Sequence, residues 1–251
     1  MHKYNIFSIN FQKYLGSLSL NKYRKKLGRY TAEGDKICSW LLDHFPEEIE
    51  YLIATEEWLS KKNIKTDAKS FSLIRTDKKA LNKYAQLDNG VEVMIIAYQN
   101  LKDLKDVLND DFRGVYLDDV QDPGNVGTII RTAAWFNFDA VIRSKASADF
   151  YNPKVIQSAM GSHGSIHLIN QAIEKYDLEG FEMVGALLNG EPINTLTSIK
   201  KPLILVIGNE SKGISKELRK LLTKRVLIKG NNQKAESLNA AIAFAIIASQ
   251  L

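Results

Sequence analysis

Residues 114–137 read GVYLDDVQDPGNVGTIIRTAAWFN, and the fold turns on how this stretch is understood. Gly114–Val120 is a short, mostly apolar run with two aspartates just before its end, the signature of a buried strand. Asp122-Pro123-Gly124 is turn chemistry, and Asn125 is suited to cap a helix over Asn125–Asn137. Ile129, Ile130, Ala133, Ala134 and Phe136 supply that helix with a face to lay on a sheet. The same alternation continues downstream. Strands are predicted at Ala140–Arg143, Met183–Leu188, Leu203–Gly208 and Arg225–Gly230, and helices at Pro153–Ala159, Ser215–Thr223 and Leu238–Ser249. Continuous apolar strands separated by helices argue for an α/β class with a parallel sheet covered on both faces. Ligands of such sheets bind beyond the C-terminal strand ends.

Upstream, Ile6–Gln99 reads as a smaller α/β unit, with a helix over Ala32–Phe45 ended by Pro46. Strands are expected at Glu50–Ala54, Ser72–Arg75 and Val91–Ala97, and helices at Glu57–Lys62 and Lys78–Ala85. Between the units, Leu101, Leu104, Val107 and Leu108 follow helical spacing in a charged stretch. The expected organisation is therefore a substrate domain at 1–100, a connecting helix at 101–112 and a parallel-sheet domain at 113–251.

With 251 residues, 45% hydrophobic and 25% charged, the composition is ordinary for a globular chain and permits two modest domains. The one cysteine, Cys38, excludes an internal disulfide, fits a reducing compartment and is read as a small buried hydrophobe. The longest apolar run, Ala240–Ala248, falls short of a membrane span, and MHKYNIFSIN carries no hydrophobic signal core. A cytoplasmic protein with no membrane partner is expected. The net charge of +5 permits a polyanionic partner. Lys22, Arg24, Lys25, Lys26 and Arg29 cluster with Tyr23 and Tyr30, either as a solvated helix face or as a phosphate-binding surface.

Three polar segments follow strands. In the first, Arg131 stands four residues after Gly127 inside an otherwise apolar helix. The second, GNESKG at 208–213, is a glycine-bounded loop whose backbone N–H groups suit an anion or a nucleotide edge. It is neither G-x-G-x-x-G nor a P-loop, which argues against a dinucleotide-dependent dehydrogenase. In the third, Ser237-Leu238-Asn239 opens an alanine-rich helix, with Ser237 placed to cap it. Alanines at 240, 241, 243, 245 and 248 allow another backbone to approach closely.

In this order, the three segments resemble motifs 1, 2 and 3 of the SpoU (TrmH) methyltransferases of the SPOUT superfamily, over about Gly114–Leu251. Ser17–Ile37 and Asp88–Ile96 resemble that family's substrate-binding domain. The resemblance implies a deep trefoil knot, a homodimer, and S-adenosyl-L-methionine held largely by backbone groups. Carried over, Gly208, Ile228 and Leu238 contact the cofactor, with Leu187, Asn209 and Gly230 as neighbours. The reactive cluster maps onto Asn125, Arg131, Glu210, Ser237 and Asn239, and needs no metal. It also implies methylation of a ribose 2′-hydroxyl in structured RNA, with rRNA favoured over tRNA and the basic cluster contacting RNA. A guanidinium is a poor base, so Arg131 is assigned to stabilising the developing alkoxide or fixing the adjacent phosphate. His163, in the small-residue stretch between motifs 1 and 2, is read as structural. Lys229 stands where relatives commonly carry proline. A non-catalytic RNA-binding relative would lack Arg131, Glu210 or Asn239, and a base methyltransferase would lack the Asn125/Arg131 motif.

Overall fold

The structure is a computed structural model that describes residues 6–64, 70–86, 90–195, 202–231, 234 and 236–251. It divides into two compact units, one of residues 1–99 with Tyr151–Gly164, the other of Asn100–Phe150 with Ser165–Leu251.

The first unit is built on strands β1 (Arg29–Glu33), β2 (Ile49–Ala54), β3 (Ser72–Arg75) and β4 (Val93–Tyr98), in sheet order β1-β4-β2-β3. Pairing is antiparallel except between β2 and β3. Helices α1 (Ile9–Ser17), α2 (Asn21–Leu27), α3 (Asp35–His44), α4 (Glu56–Lys62) and α5 (Lys78–Asn82) complete its N-terminal part. Phe11, Leu15, Leu18, Tyr51, Ile53, Ile74, Leu81, Met94 and Ile96 form one buried core. The helix expected over Ala32–Phe45 starts only at Asp35. Ala32 instead pairs with Ile95 in the sheet, and Gly34, at φ 87°, turns the chain from strand to helix. Here the buried partner strand β4 overrides the weak strand propensity of Ala32 and Glu33.

Of the basic cluster, two members are not surface cations. Arg24 is 2% exposed, and its guanidinium donates to the Leu18 and Ser19 carbonyls at 3.1 and 2.8 Å, covering the C-terminal end of α1. Arg29 donates to Glu50 at 2.7 Å and lies 3.8 Å above the Tyr98 ring. Helical periodicity makes this unavoidable, since a seven-residue helix against a sheet must bury one side, and Arg24 sits on it. Lys22, Lys25 and Lys26 remain exposed.

The second unit holds β5 (Arg113–Asp118), β6 (Ala140–Arg143), β7 (His167–Asn170), β8 (Glu182–Pro192), β9 (Leu203–Gly208) and β10 (Lys224–Leu227). Their order is β10-β8-β9-β5-β6-β7, and every pairing is parallel, as the alternation predicts. α6 (Pro123–Trp135), α8 (Lys216–Leu221) and α9 (Ala240–Ala248) belong to this unit, whereas α7 (Pro153–Ala159) belongs to the first. One face of the sheet buries Phe112, Tyr116, Ile142, Ile204 and Val206 with Ile214 and Leu218. α6 and α9 pack together, and Phe244 of α9 meets Phe138 edge-on with ring centroids 5.4 Å apart.

The connecting helix expected at 101–112 is absent. One 3₁₀ turn, Leu104–Asp106, takes its place, and Leu101 bridges Leu168 beside β7. The apolar spacing serves burial instead, for Leu104 and Phe112 are wholly enclosed in the core of the second unit. The domain limits change as well. Tyr151–Gly164, expected inside the parallel-sheet domain, clusters with the first unit, where α7 packs on β1. Gly161, at φ 93°, lies against Trp40, where a Cβ would come within 2.4 Å of the indole.

His163 is buried in the same unit, and its Nε2 lies 2.8 Å from the Tyr30 hydroxyl. Burial pulls its pKa down to about 4, so the ring is neutral near pH 7. Between pH 6.5 and 4 the unfolded chain binds a proton that the folded chain does not, so stability falls as pH drops through this window. The expected loss is about 3 kcal/mol. Urea denaturation of the protein and of His163→Gln at pH 4.5 and 7 checks this, because the variant lacks that part of the slope. Equal slopes would contradict it.

Candidate active site

Motif 1 begins one step earlier than its sequence suggests. Asp122, not Asn125, caps α6, its Oδ1 accepting from the Asn125 N–H at 2.8 Å with Pro123 at the first helical position. Asn125 therefore sits inside the first turn with its side chain released from capping. In motif 3 the boundary shifts the other way, two residues later. Asn239, not Ser237, caps α9, its Oδ1 accepting from Ala241 N and Ile242 N at 2.9 and 3.2 Å.

These two displacements bring three residues together. Asn239 Nδ2 donates to Asn125 Oδ1 at 2.7 Å, and Asn125 Nδ2 donates to Glu210 Oε1 at 2.6 Å. The direction of the chain is fixed from its helical end. Backbone N–H groups only donate, so the Asn239 oxygen must face them and its amide nitrogen must face Asn125. Asn125 then accepts on one side and is left to donate to the Glu210 carboxylate on the other. The loops after β5, β9 and β10 are thus joined at the C-terminal end of the sheet, where the parallel topology predicts a site.

Arg131 and Ser237 are not drawn into this chain. Both are exposed and make no hydrogen bond or ion pair with the described residues. Arg131 lies six residues beyond Asn125, about 9 Å along the helix axis. Trp135, one turn further, is 82% exposed, and Ile242 on α9 is 51% exposed.

Among the expected cofactor contacts, Gly208 has no room for a Cβ, which would meet the backbone of Gly213 and Ile214 at 2.4 and 2.5 Å. Its glycine is required by loop closure. Asn209 has its polar groups engaged within the protein. Its backbone exchanges two hydrogen bonds with Gly213, Oδ1 accepts from Ser211 N and Lys212 N, and Nδ2 donates to the Asp119 carbonyl at 2.9 Å. Leu187 packs against the core of the sheet, whereas Leu188 is 70% exposed. Side chains alternate along a strand, so the two leucines point to opposite faces. Ile228 is half-buried, Leu238 is 46% exposed, and a Cβ at Gly230 would meet open space among the described residues.

An all-parallel sheet with a carboxylate–amide–amide chain at its C-terminal strand ends defines an α/β enzyme unit. Residues 113–249 match the family model of the SpoU rRNA methylase family, and the chain belongs to that family. It is 28% identical to the 23S rRNA (guanosine(2553)-2′-O)-methyltransferase of Bacillus subtilis over 93% of this chain and 92% of that one. It superposes with a TM-score of 0.85 on an AdoMet-bound rRNA methyltransferase from Sinorhizobium meliloti, at 25% identity over 98% and 97% of the two chains. A TrmH-family RNA methyltransferase from Porphyromonas gingivalis gives 0.83 at 29% identity, covering 97% of each chain.

Proposed function

We propose that this protein transfers the methyl group of S-adenosyl-L-methionine to a ribose 2′-hydroxyl of ribosomal RNA. The observation that carries the reading is the hydrogen-bonded chain Glu210–Asn125–Asn239, which unites the three motif loops, with the exposed Arg131 on the same helix as Asn125 and without a partner among the described residues. The full-length likeness to a 23S rRNA ribose methyltransferase supports rRNA over tRNA.

The residues present suit that cofactor. Leu188 and Leu238 offer exposed apolar surface, Ile228 is half-buried, and a Cβ at Gly230 would meet open space among the described residues. When bound, the cofactor supplies a methyl on a positively charged sulfur, which leaves as a neutral thioether. What the chain must supply is alignment and help for the poorly acidic 2′-hydroxyl. Glu210 is held by Asn125 in one position, and Arg131 is free to meet the developing alkoxide or the adjacent phosphate. Ser237 lies in the same loop as Asn239 and is available to the nucleotide. Lys22, Lys25 and Lys26 of the first unit provide phosphate contacts without base preference.

The crossing from β9 past β8 to β10 fits a trefoil knot. The cytoplasm is where such a substrate is met, and no helix of the described residues is long and apolar enough to cross a membrane.

The working form is a homodimer that joins the exposed faces of α6 and α9. An 82%-exposed tryptophan is costly in water, and Trp135 shares its face with Arg131, one turn away. Pairing these faces covers Trp135 and brings Arg131 toward a partner subunit. Trp135→Glu is expected to sediment as a monomer at micromolar concentration, where the unaltered protein sediments at twice the mass. A monomeric unaltered protein would remove the dimer from the proposal.

Mapping 2′-O-methyl groups in rRNA and tRNA with and without the gene tests the function. Loss of one rRNA methylation is expected, and no loss in either pool would overturn the reading.

A further inference from the structure

Glu210 reaches Asn125 only if the loop at 208–215 is held in one place, and both ends of that loop are tied to the end of β5. At the far end, Asp118 Oδ2 accepts from Ser215 N at 2.7 Å. At the near end, Asn209 Nδ2 donates to the Asp119 carbonyl at 2.9 Å. Asp119 itself is in the left-handed region, at φ 58°, a conformation tolerated by Asp, Asn and Gly and resisted by β-branched residues. Its N–H donates to Ser144 Oγ at 3.0 Å, one carboxylate oxygen accepts from Gln121 Nε2 at 2.8 Å, and the other lies 3.6 Å from Lys212 Nζ. Loops from three neighbouring strands, β5, β6 and β9, therefore meet at this one residue.

The geometry points to Asp119 as a positioning residue for the reaction. Its left-handed corner aims the backbone carbonyl at Asn209, and Asn209 in turn sets the loop that delivers Glu210 to Asn125. The link runs through backbone conformation and a carbonyl oxygen, not through the carboxylate charge. Activity should therefore follow the left-handed tolerance of residue 119. The proposal rests on the methyltransferase reading for its kinetic consequence and on geometry alone for its structural one.

The test compares Asp119→Asn, Asp119→Gly, Asp119→Ala and Asp119→Val. Asn and Gly keep the corner and are expected to retain kcat within about 3-fold. Val is expected to lower kcat by roughly 10- to 100-fold, with little change in KM for RNA, because the reacting groups are misaligned and not lost. In a Glu210→Ala background, Val is expected to cost nothing further. The side-chain amide signal of Asn125 in a ¹⁵N spectrum, assigned by its absence in Asn125→Ala, reports the Glu210 bond without any catalysis. It should hold its position in the Asn and Gly variants and move in Val, with Ala as the milder variant if Val fails to fold. Equal losses in Asn, Gly and Val with thermal stability intact would overturn the proposal in favour of the carboxylate. So would an unmoved amide signal and unchanged kcat in Val. If the unaltered protein methylates no RNA, the functional reading fails while the amide signal still decides the positioning claim.

Discussion

Arg131→Ala is expected to lower kcat for RNA methylation by about 10²- to 10³-fold while leaving the fold untouched. The two halves of this expectation come from one observation. Arg131 is exposed and makes no hydrogen bond or ion pair with the described residues, so its removal breaks nothing in the folded chain. Surface substitutions of that kind change stability by less than about 0.5 kcal/mol. A guanidinium placed against a developing oxyanion, by contrast, has an effect in the range given by deleting one oxyanion-hole donor. S-adenosyl-L-methionine affinity, measured by calorimetry, is expected to stay the same, since none of the groups assigned to the cofactor lies on α6. Arg131→Lys separates charge from geometry. Near-normal turnover in that variant would show that a point charge suffices, and a loss close to that of alanine would show that the planar fork is required. A fully active Arg131→Ala would remove Arg131 from the chemistry.

The second unit was far more legible in sequence than the site within it. β5, β6, β8 and β9 announce themselves by apolar runs, because a strand covered on both faces must be largely apolar, whereas the edge strand β10, Lys-Arg-Val-Leu, lies earlier than the expected Arg225–Gly230. β7 is four residues long, with His167 and Asn170 exposed at its ends, and leaves too short a run to recognise. The first unit was harder. β1 is hidden in Arg-Tyr-Thr-Ala-Glu, and its strand character comes from β4, a long-range partner that no local pattern reveals. Tyr151–Gly164 joins the first unit for the same reason, since packing on β1 and not chain continuity decides where it belongs.

Residue types at the site were legible, but their roles were not. Asn125 and Ser237 both look like helix caps, and each sits within three residues of the residue that is one. Boundaries read from sequence drift by a residue or two, enough to exchange a cap for an active-site side chain. Asp119 carries no motif of its own. Its left-handed backbone is a property of three loops meeting, and only coordinates disclose it.

Asn125→Asp tests the direction of the chain that those shifted boundaries create. In the native site Asn125 donates to Glu210 Oε1 at 2.6 Å and accepts from Asn239 Nδ2. Aspartate keeps the acceptor and replaces the donor with an oxygen, so two carboxylates face each other. At about 4 Å and an effective dielectric near 20, two such charges repel by about 4 kcal/mol. Partial exposure of Glu210 reduces this to roughly 1–2 kcal/mol. The pair escapes by holding a proton, which raises one carboxyl pKa in the folded state above its unfolded value. Folded protein then binds more protons than unfolded protein, so the variant is close to normal stability below about pH 4, loses it between about pH 4 and 6 and stays at the lower level up to pH 8. Activity near pH 8 is expected to fall about 100-fold, whereas Asn125→Ala should lose activity without this pH dependence. Adding Glu210→Gln restores a donor, since the glutamine amide can face the new aspartate and rebuild every bond with one link reversed. Stability at pH 8 should return in that double variant. Turnover should not, because the negative charge has moved from the β9 loop to α6. A single variant whose stability is independent of pH between about 4 and 6 would mean that Asn125 and Glu210 are not in contact, and the site would have to be rebuilt from that point.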